Sequence, residues 1–183
     1  LELGRQIQPI DARQAAERDS FFAAVTQDPA ALEAFQEDIF KSILERSIDQ
    51  GLVVDAGSAC AGRLLIQPEL AIPEGGFAPL DQYLGGGFAL LGFNCDVQAV
   101  LGEEAVAAWS ALGATHVNIA SADSDGSAAC LLDLEGELAD WLGTREPAIL
   151  LVRPDRFCMV SAGPADAAAQ LQAARLLLAG GSD

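Results

Sequence analysis

The residues whose types and spacing come nearest to chemistry are Phe93-Asn94-Cys95-Asp96-Val97-Gln98. An apolar run leads into Cys95 and a helix-forming stretch follows it. A thiol at a helix N-terminus gains some thiolate character from the helix dipole. The spacing is that of a Cys-x-x-Cys redox pair, with Gln98 in the second cysteine's place. Without a resolving cysteine, Cys95 cannot cycle as a dithiol. The Asp96 carboxylate beside it opposes ionisation. Cys95 is therefore expected to stay mostly protonated at neutral pH and to be no essential redox centre.

The other candidates carry less. Cys60, Cys130 and Cys158 are isolated from one another and from Cys95 in sequence. Zinc ligation prefers close cysteine pairs or a neighbouring histidine, and His116 is the single histidine. The cysteines read as small buried hydrophobes of a reducing cytoplasm. His116 falls inside a β-branched run with no Ser or Cys partner set by spacing, so it reads as a satisfied or solvent-facing side chain. Asp123, Asp125, Asp133, Glu135, Glu137 and Asp140 read mostly as a solvated face, because the ligand spacing of a calcium loop is missing. Gly85-Gly86-Gly87 precedes a strand and lacks the G-x-G-x-x-G continuation, with Leu90 in the last position. The only lysine is Lys41, so no P-loop exists. No catalytic, cofactor-binding or metal residue is assigned. Arg153-Pro154-Asp155-Arg156 reads as a hairpin tip with salt bridges, or else as a docking contact with another domain.

These residues need elements to hold them. Asp11 is placed to cap a helix over Ala12–Val25, and Asp28-Pro29 to start another running to about Asp49, with Gly51 as its stop. Residues 51–80 are broken by proline and glycine and read as loop, with Leu64-Leu65-Ile66 a short strand. Phe88–Phe93 is a strand, Asp96–Leu112 a helix and Thr115–Ile119 a strand. Asp123–Gly126 is a turn. Leu131–Trp141 is mixed, with Leu134, Leu138 and Trp141 at helical spacing. Ala148–Val152 and Phe157–Ser161 form a hairpin, and Pro164 opens a last helix over Ala165–Leu178.

From residue 87 the order is strand, helix, strand, helix, strand, strand, helix. A right-handed βαβ unit followed by a hairpin and a closing helix is the thioredoxin topology. The expected fold is α/β: a thioredoxin-like mixed sheet flanked by helices, preceded by an N-terminal helical segment. The expected division is 1–50 helical and 51–183 thioredoxin-like without the dithiol. In such a fold Glu146-Pro147 stands where a cis-proline precedes a strand.

The chain has 183 residues, 51% of them hydrophobic, with 10 basic against 27 acidic residues and a net charge of −17. That balance argues against nucleic acid and against an anionic membrane surface. No long uncharged apolar run reads as a membrane span, and Glu2, Arg5 and Gln6 interrupt any secretory signal. Lacking an initiator Met, the sequence is expected to be a piece of a longer, cytoplasmic protein.

Five motifs occur in order: Gly62-Arg63-Leu64-Leu65-Ile66-Gln67-Pro68, Leu80-Asp81-Gln82-Tyr83-Leu84-Gly85, Phe88-Ala89-Leu90-Leu91-Gly92, Trp109-Ser110-Ala111-Leu112-Gly113 and Val152-Arg153-Pro154-Asp155-Arg156-Phe157. Together they resemble the C-terminal third of the flavin-dependent aromatic hydroxylases of the p-hydroxybenzoate hydroxylase type, particularly the 3-(3-hydroxyphenyl)propionate hydroxylases. Residues 1–30, with Leu3-Gly4 and Ala16-Glu17-Arg18-Asp19, are similar to the helical end of that family's flavin domain. The resemblance implies a parent enzyme that uses FAD and NAD(P)H to insert oxygen into a phenolic ring. Its flavin motifs lie upstream, so this chain is expected to be a non-catalytic structural or interaction domain, without a cofactor of its own. The implied partners are the upstream flavin domain and, through the apolar stripes of the first two helices, a second copy in a homodimer. The alternative is a free-standing thioredoxin-like protein using Cys95 as a single redox thiol.

Overall fold

A computed structural model describes residues 11–44, 47–48, 50–54, 58, 60–124 and 131–180. The chain forms two compact units, Leu1–Glu45 and Arg46–Asp183.

The first unit is a helical hairpin. Helix α1 (Ala12–Gln27) starts where Oδ1 of Asp11 accepts from the N–H of Gln14 at 2.9 Å. Asp28 does the same for α2 (Pro29–Leu44), accepting from Ala30 at 3.0 Å. Proline at the first helical position forfeits no helical hydrogen bond, because that N–H has no partner anyway. Phe21, Phe22 and Phe35 pack edge-to-face with centroids 5.6, 5.6 and 5.8 Å apart. The helix predicted to run to Asp49 does not do so. Ser47 makes an antiparallel bridge to Arg63, and Ile48 donates to the Gly62 carbonyl at 2.7 Å. Those backbone groups have an extended partner, which wins over local helix propensity.

The second unit is built on a seven-stranded sheet in the order β2-β1-β5-β4-β3-β6-β7. The strands are β1 (Glu69–Ala71), β2 (Phe77–Pro79), β3 (Ala89–Phe93), β4 (Thr115–Ser121), β5 (Leu131–Asp133), β6 (Ala148–Val152) and β7 (Cys158–Ala162). Strands β3, β4 and β5 run parallel, while β6 and β7 continue the sheet antiparallel. The β4-β3-β6-β7 core, with helices between β3 and β4 and after β7, is the thioredoxin-like arrangement.

Strand β3 is buried on both faces, as a central parallel strand should be. Leu91, Phe93, Leu150 and Val152 face one core with α3 (Asp81–Leu84) and α6 (Glu137–Leu142). Leu90, Ile149, Leu151 and Met159 face the other, with α4 (Val97–Leu101), α5 (Glu103–Ser110) and α7 (Pro164–Gly180).

Several elements differ from the sequence expectation. The stretch 51–80 contains the β1–β2 hairpin, turned by Gly75 and Gly76 at φ 90° and 97°. Leu64 makes only an isolated bridge, to Phe157. Three-residue strands are too short to show alternation. The helix predicted over Asp96–Leu112 breaks at Gly102, φ 79°, into α4 and α5. The mixed segment 131–141 resolves into β5 and α6. The turn predicted over 123–126 lies partly outside the described residues, as do Asp125 and Cys130.

Candidate functional site

Cys95 does stand where β3 gives way to a helix, but it is not that helix's cap. Asp96 takes that role, with Oδ1 accepting from Ala99 at 2.7 Å. Asn118, on the neighbouring strand β4, donates from Nδ2 to Asp96 Oδ2 at 2.6 Å and accepts from the N–H of Val97 at 3.0 Å. The positive end of α4 is thus occupied by groups of the chain itself. Asn94 turns the backbone at φ 51°, a conformation asparagine tolerates. Its Oδ1 accepts from the N–H of Ser121 at 2.8 Å and its Nδ2 donates to the Arg145 carbonyl at 2.8 Å. Neither asparagine stood out in the sequence. The signal was there: a carboxamide inside a β-branched run, and another at a strand end, each need partners once half-buried.

The Cys95 thiol donates to the Ala148 carbonyl at 3.5 Å. Burial pushes its pKa up and the Asp96 charge adds to this, against a backbone hydrogen bond at Ala148. A thiol held in its neutral form is a poor nucleophile. The Glu146–Pro147 bond is trans, unlike the cis-proline expected at that place.

The other described thiols are buried. Cys60 lies against the carbonyls of Trp141 and Leu142, each 3.6 Å from its sulfur. Burial raises its pKa, partly offset by Arg63. Arg63 stacks on Trp141 with 5.0 Å to the ring centroid and donates to its carbonyl at 3.0 Å. Cys158 is fully buried and its pKa is pushed far up for the same reason. A pocket of about 400 Å³ beside Cys60 is lined by Thr144, Glu146, Pro147, Ser161 and Asp166. His116 is exposed, in a shallow cleft with Asp96, Gln98 and Asn118.

The acidic stretch is not uniformly solvated. Asp133 is buried, and its Oδ2 accepts from the N–H groups of Leu138 and Ala139 at 3.0 and 3.2 Å. It caps α6 from the end of β5. Among the described residues, no group of three His, Cys, Asp or Glu side chains is placed to hold a metal. The two arginines of the β6–β7 turn are engaged within the domain. Arg153 pairs with Asp155 at 2.6 Å, and Arg156 bridges Asp81 at 2.6 Å and the Gly85 carbonyl at 2.8 Å. Among the described residues, no helix is long and apolar enough to cross a membrane.

The single-cysteine junction and the thioredoxin-like sheet around it fall within a known sequence family. The profile of the HcaD C-terminal domain matches residues 62–176. The chain belongs to this family. As an HcaD C-terminal domain it shares 30% identity over 93% of its length with a 3-(3-hydroxy-phenyl)propionate/3-hydroxycinnamic acid hydroxylase of Burkholderia cenocepacia, covering 33% of that protein. It shares 33% identity over 87% of its length with the same-named hydroxylase of Mycolicibacterium gilvum, covering 30% of it. The chain thus spans about a third of the length of the curated relatives it matches. Its fold is also that of part of the flavin-dependent monooxygenase PieE, solved with FAD and substrate, at a TM-score of 0.57 and 19% identity over 96% of this chain and 31% of that one.

Proposed function

We propose that this chain is the non-catalytic terminal domain of a flavin-dependent aromatic monooxygenase of the 3-(3-hydroxyphenyl)propionate hydroxylase type. The observation that carries the reading is the match to one third of those hydroxylases along 93% of this chain. In the whole protein, FAD and NAD(P)H would serve ring hydroxylation in the upstream part. Among the described residues, the glycine triplet Gly85-Gly86-Gly87 enters a strand and does not open a helix, so it is no phosphate-binding turn. Its partners in this reading are the upstream flavin domain and a second copy, in the cytoplasm. Exposed Phe21 on α1, 40% accessible, supports pairing through the helical hairpin. The occupied cap of α4 and the neutral Cys95 thiol support a structural junction over a redox one.

The test has two parts. The reading frame upstream of Leu1 should encode a G-x-G-x-x-G flavin domain, and the protein containing it should bind FAD. The chain by itself, titrated with FAD at micromolar concentration, should give no saturable quenching of flavin fluorescence. Saturable quenching rejects the non-catalytic assignment. A clean monomer by sedimentation at high micromolar concentration rejects the dimer.

A further inference from the structure

At one end of the sheet, among the described residues, an apolar row is exposed. Ala71 on β1 is registered with Phe77 on β2 on one side and with Leu132 on β5 on the other. Residues in register across a sheet project to the same face. Their strand neighbours Leu70, Ala78 and Leu131 point to the opposite face and are buried. Phe77 is 60% exposed and Leu132 37%, and Leu134 just beyond β5 is 44% exposed. Phe77 and Leu132 flank Ala71 on one face, and Leu134 follows Leu132 two residues on, so these exposed side chains are more than scattered surface hydrophobics.

The exposed charge nearest this strip is acidic, apart from Arg145, whose guanidinium approaches Gly136 beside Glu135. Between Arg63 and Arg145 the sequence contains twelve acidic residues and no lysine or arginine. Glu69 shares the strip's face, two residues from Ala71 on β1. Glu74 in the β1–β2 turn and Glu135 after Leu134 are exposed near its ends. Arg63 and Arg156 are engaged in internal contacts, with Trp141 and Asp81. A second copy meeting this face would bring acid against acid, which costs association rather than favouring it.

We propose that the strip Phe77–Ala71–Leu132 is a docking surface for a polypeptide surface that is apolar at its centre and rimmed with lysine or arginine, carried by the upstream part of the same hydroxylase. The inference rests on the functional reading above and names the face through which this domain meets its neighbour. The apolar row provides the desolvated centre and the Glu69, Glu74 and Glu135 carboxylates select a basic rim.

Hydrogen exchange of the chain by itself is compared with that of the full-length hydroxylase. In the full-length protein, amides of 69–79 and 131–134 should exchange roughly tenfold more slowly. The double variant Phe77→Ser, Leu132→Ser should leave the isolated chain folded, because Phe77 is exposed and Leu132 is only partly buried. The same variant should abolish the extra protection in the full-length protein. Glu69→Lys with Glu135→Lys should reduce it. A flavin-binding full-length protein whose strip exchanges as in the isolated chain overturns the docking surface and leaves the functional reading standing. Protection that moves to Leu176 and Leu177 of α7, or that depends on protein concentration, also overturns it. A full-length protein that binds no flavin but protects the strip overturns the functional reading and keeps the surface.

Discussion

Asn118 reaches from the middle of β4 to Asp96 at the start of α4, donating from Nδ2 to Oδ2 at 2.6 Å while its Oδ1 accepts from Val97. One carboxamide therefore aligns the helix cap with the strand beside it. The close approach also needs Gly92 on β3. A Cβ there would lie 2.4 Å from the Cys95 carbonyl and 3.0 Å from Asn118 Oδ1.

This cap network should be worth more than an ordinary helix cap. Asp96→Ala loses the cap to Ala99 and should cost about 1 kcal/mol. Asn118→Ala leaves both the Val97 N–H and an Asp96 oxygen short of a partner and should cost about 1–3 kcal/mol. Denaturant midpoints of the two single variants and the double variant check this. Strict additivity would show that the two side chains do not act together.

Alkali should weaken the domain through its thiols. Burial raises the folded-state pKa of Cys60, Cys95 and Cys158. The folded protein thus favours the neutral form. Its stabilisation is complete below the unfolded cysteine pKa of about 8.5 and is lost as pH rises above it. Urea midpoints should fall between neutral pH and pH ~10. The fall should be smaller in Cys95→Ser. An equal fall in that variant would show that Cys95 takes no part.

Cys95 should behave as a structural thiol. The chain should not reduce insulin disulfides with dithiothreitol as donor, and Cys95→Ser should leave folding and association unchanged. Alkylation against pH should give an apparent pKa above the ordinary ~8.5. Rapid alkylation at pH ~6.5 would contradict the direction of the shift.

The β6–β7 turn offers a test of how a surface arginine stabilises. Arg156 sits at φ 70° and joins Asp81 and the Gly85 carbonyl to the turn. Arg156→Ala should cost about 1 kcal/mol, because Asp81 is half-exposed and solvent screens the pair. Arg156→Gly should cost less, since glycine relieves the left-handed backbone. Thermal midpoints of the two variants decide the order.

The sequence by itself determined the local devices and the order of the long elements. Asp11 and Asp28 announced their helices because a cap needs only a short side chain and the next turn's N–H groups. The apolar runs at Phe88–Phe93 and Ala148–Val152 announced central strands because both faces of such strands are buried. The order of strands and helices was enough for the thioredoxin-like arrangement, and five spaced motifs were enough for the family. What needed distant partners was decided only in three dimensions. Strands β1, β2 and β5, three residues each, exist because they pair with one another and with β4. Residues 47–48 leave the helix because Gly62 and Arg63 offer them extended hydrogen bonds. Asp133 is buried, unlike its acidic neighbours, because β5 delivers it to the start of α6. The apolar strip of Phe77, Ala71 and Leu132 joins residues from separate stretches of the chain, and only their register across the sheet makes it one surface.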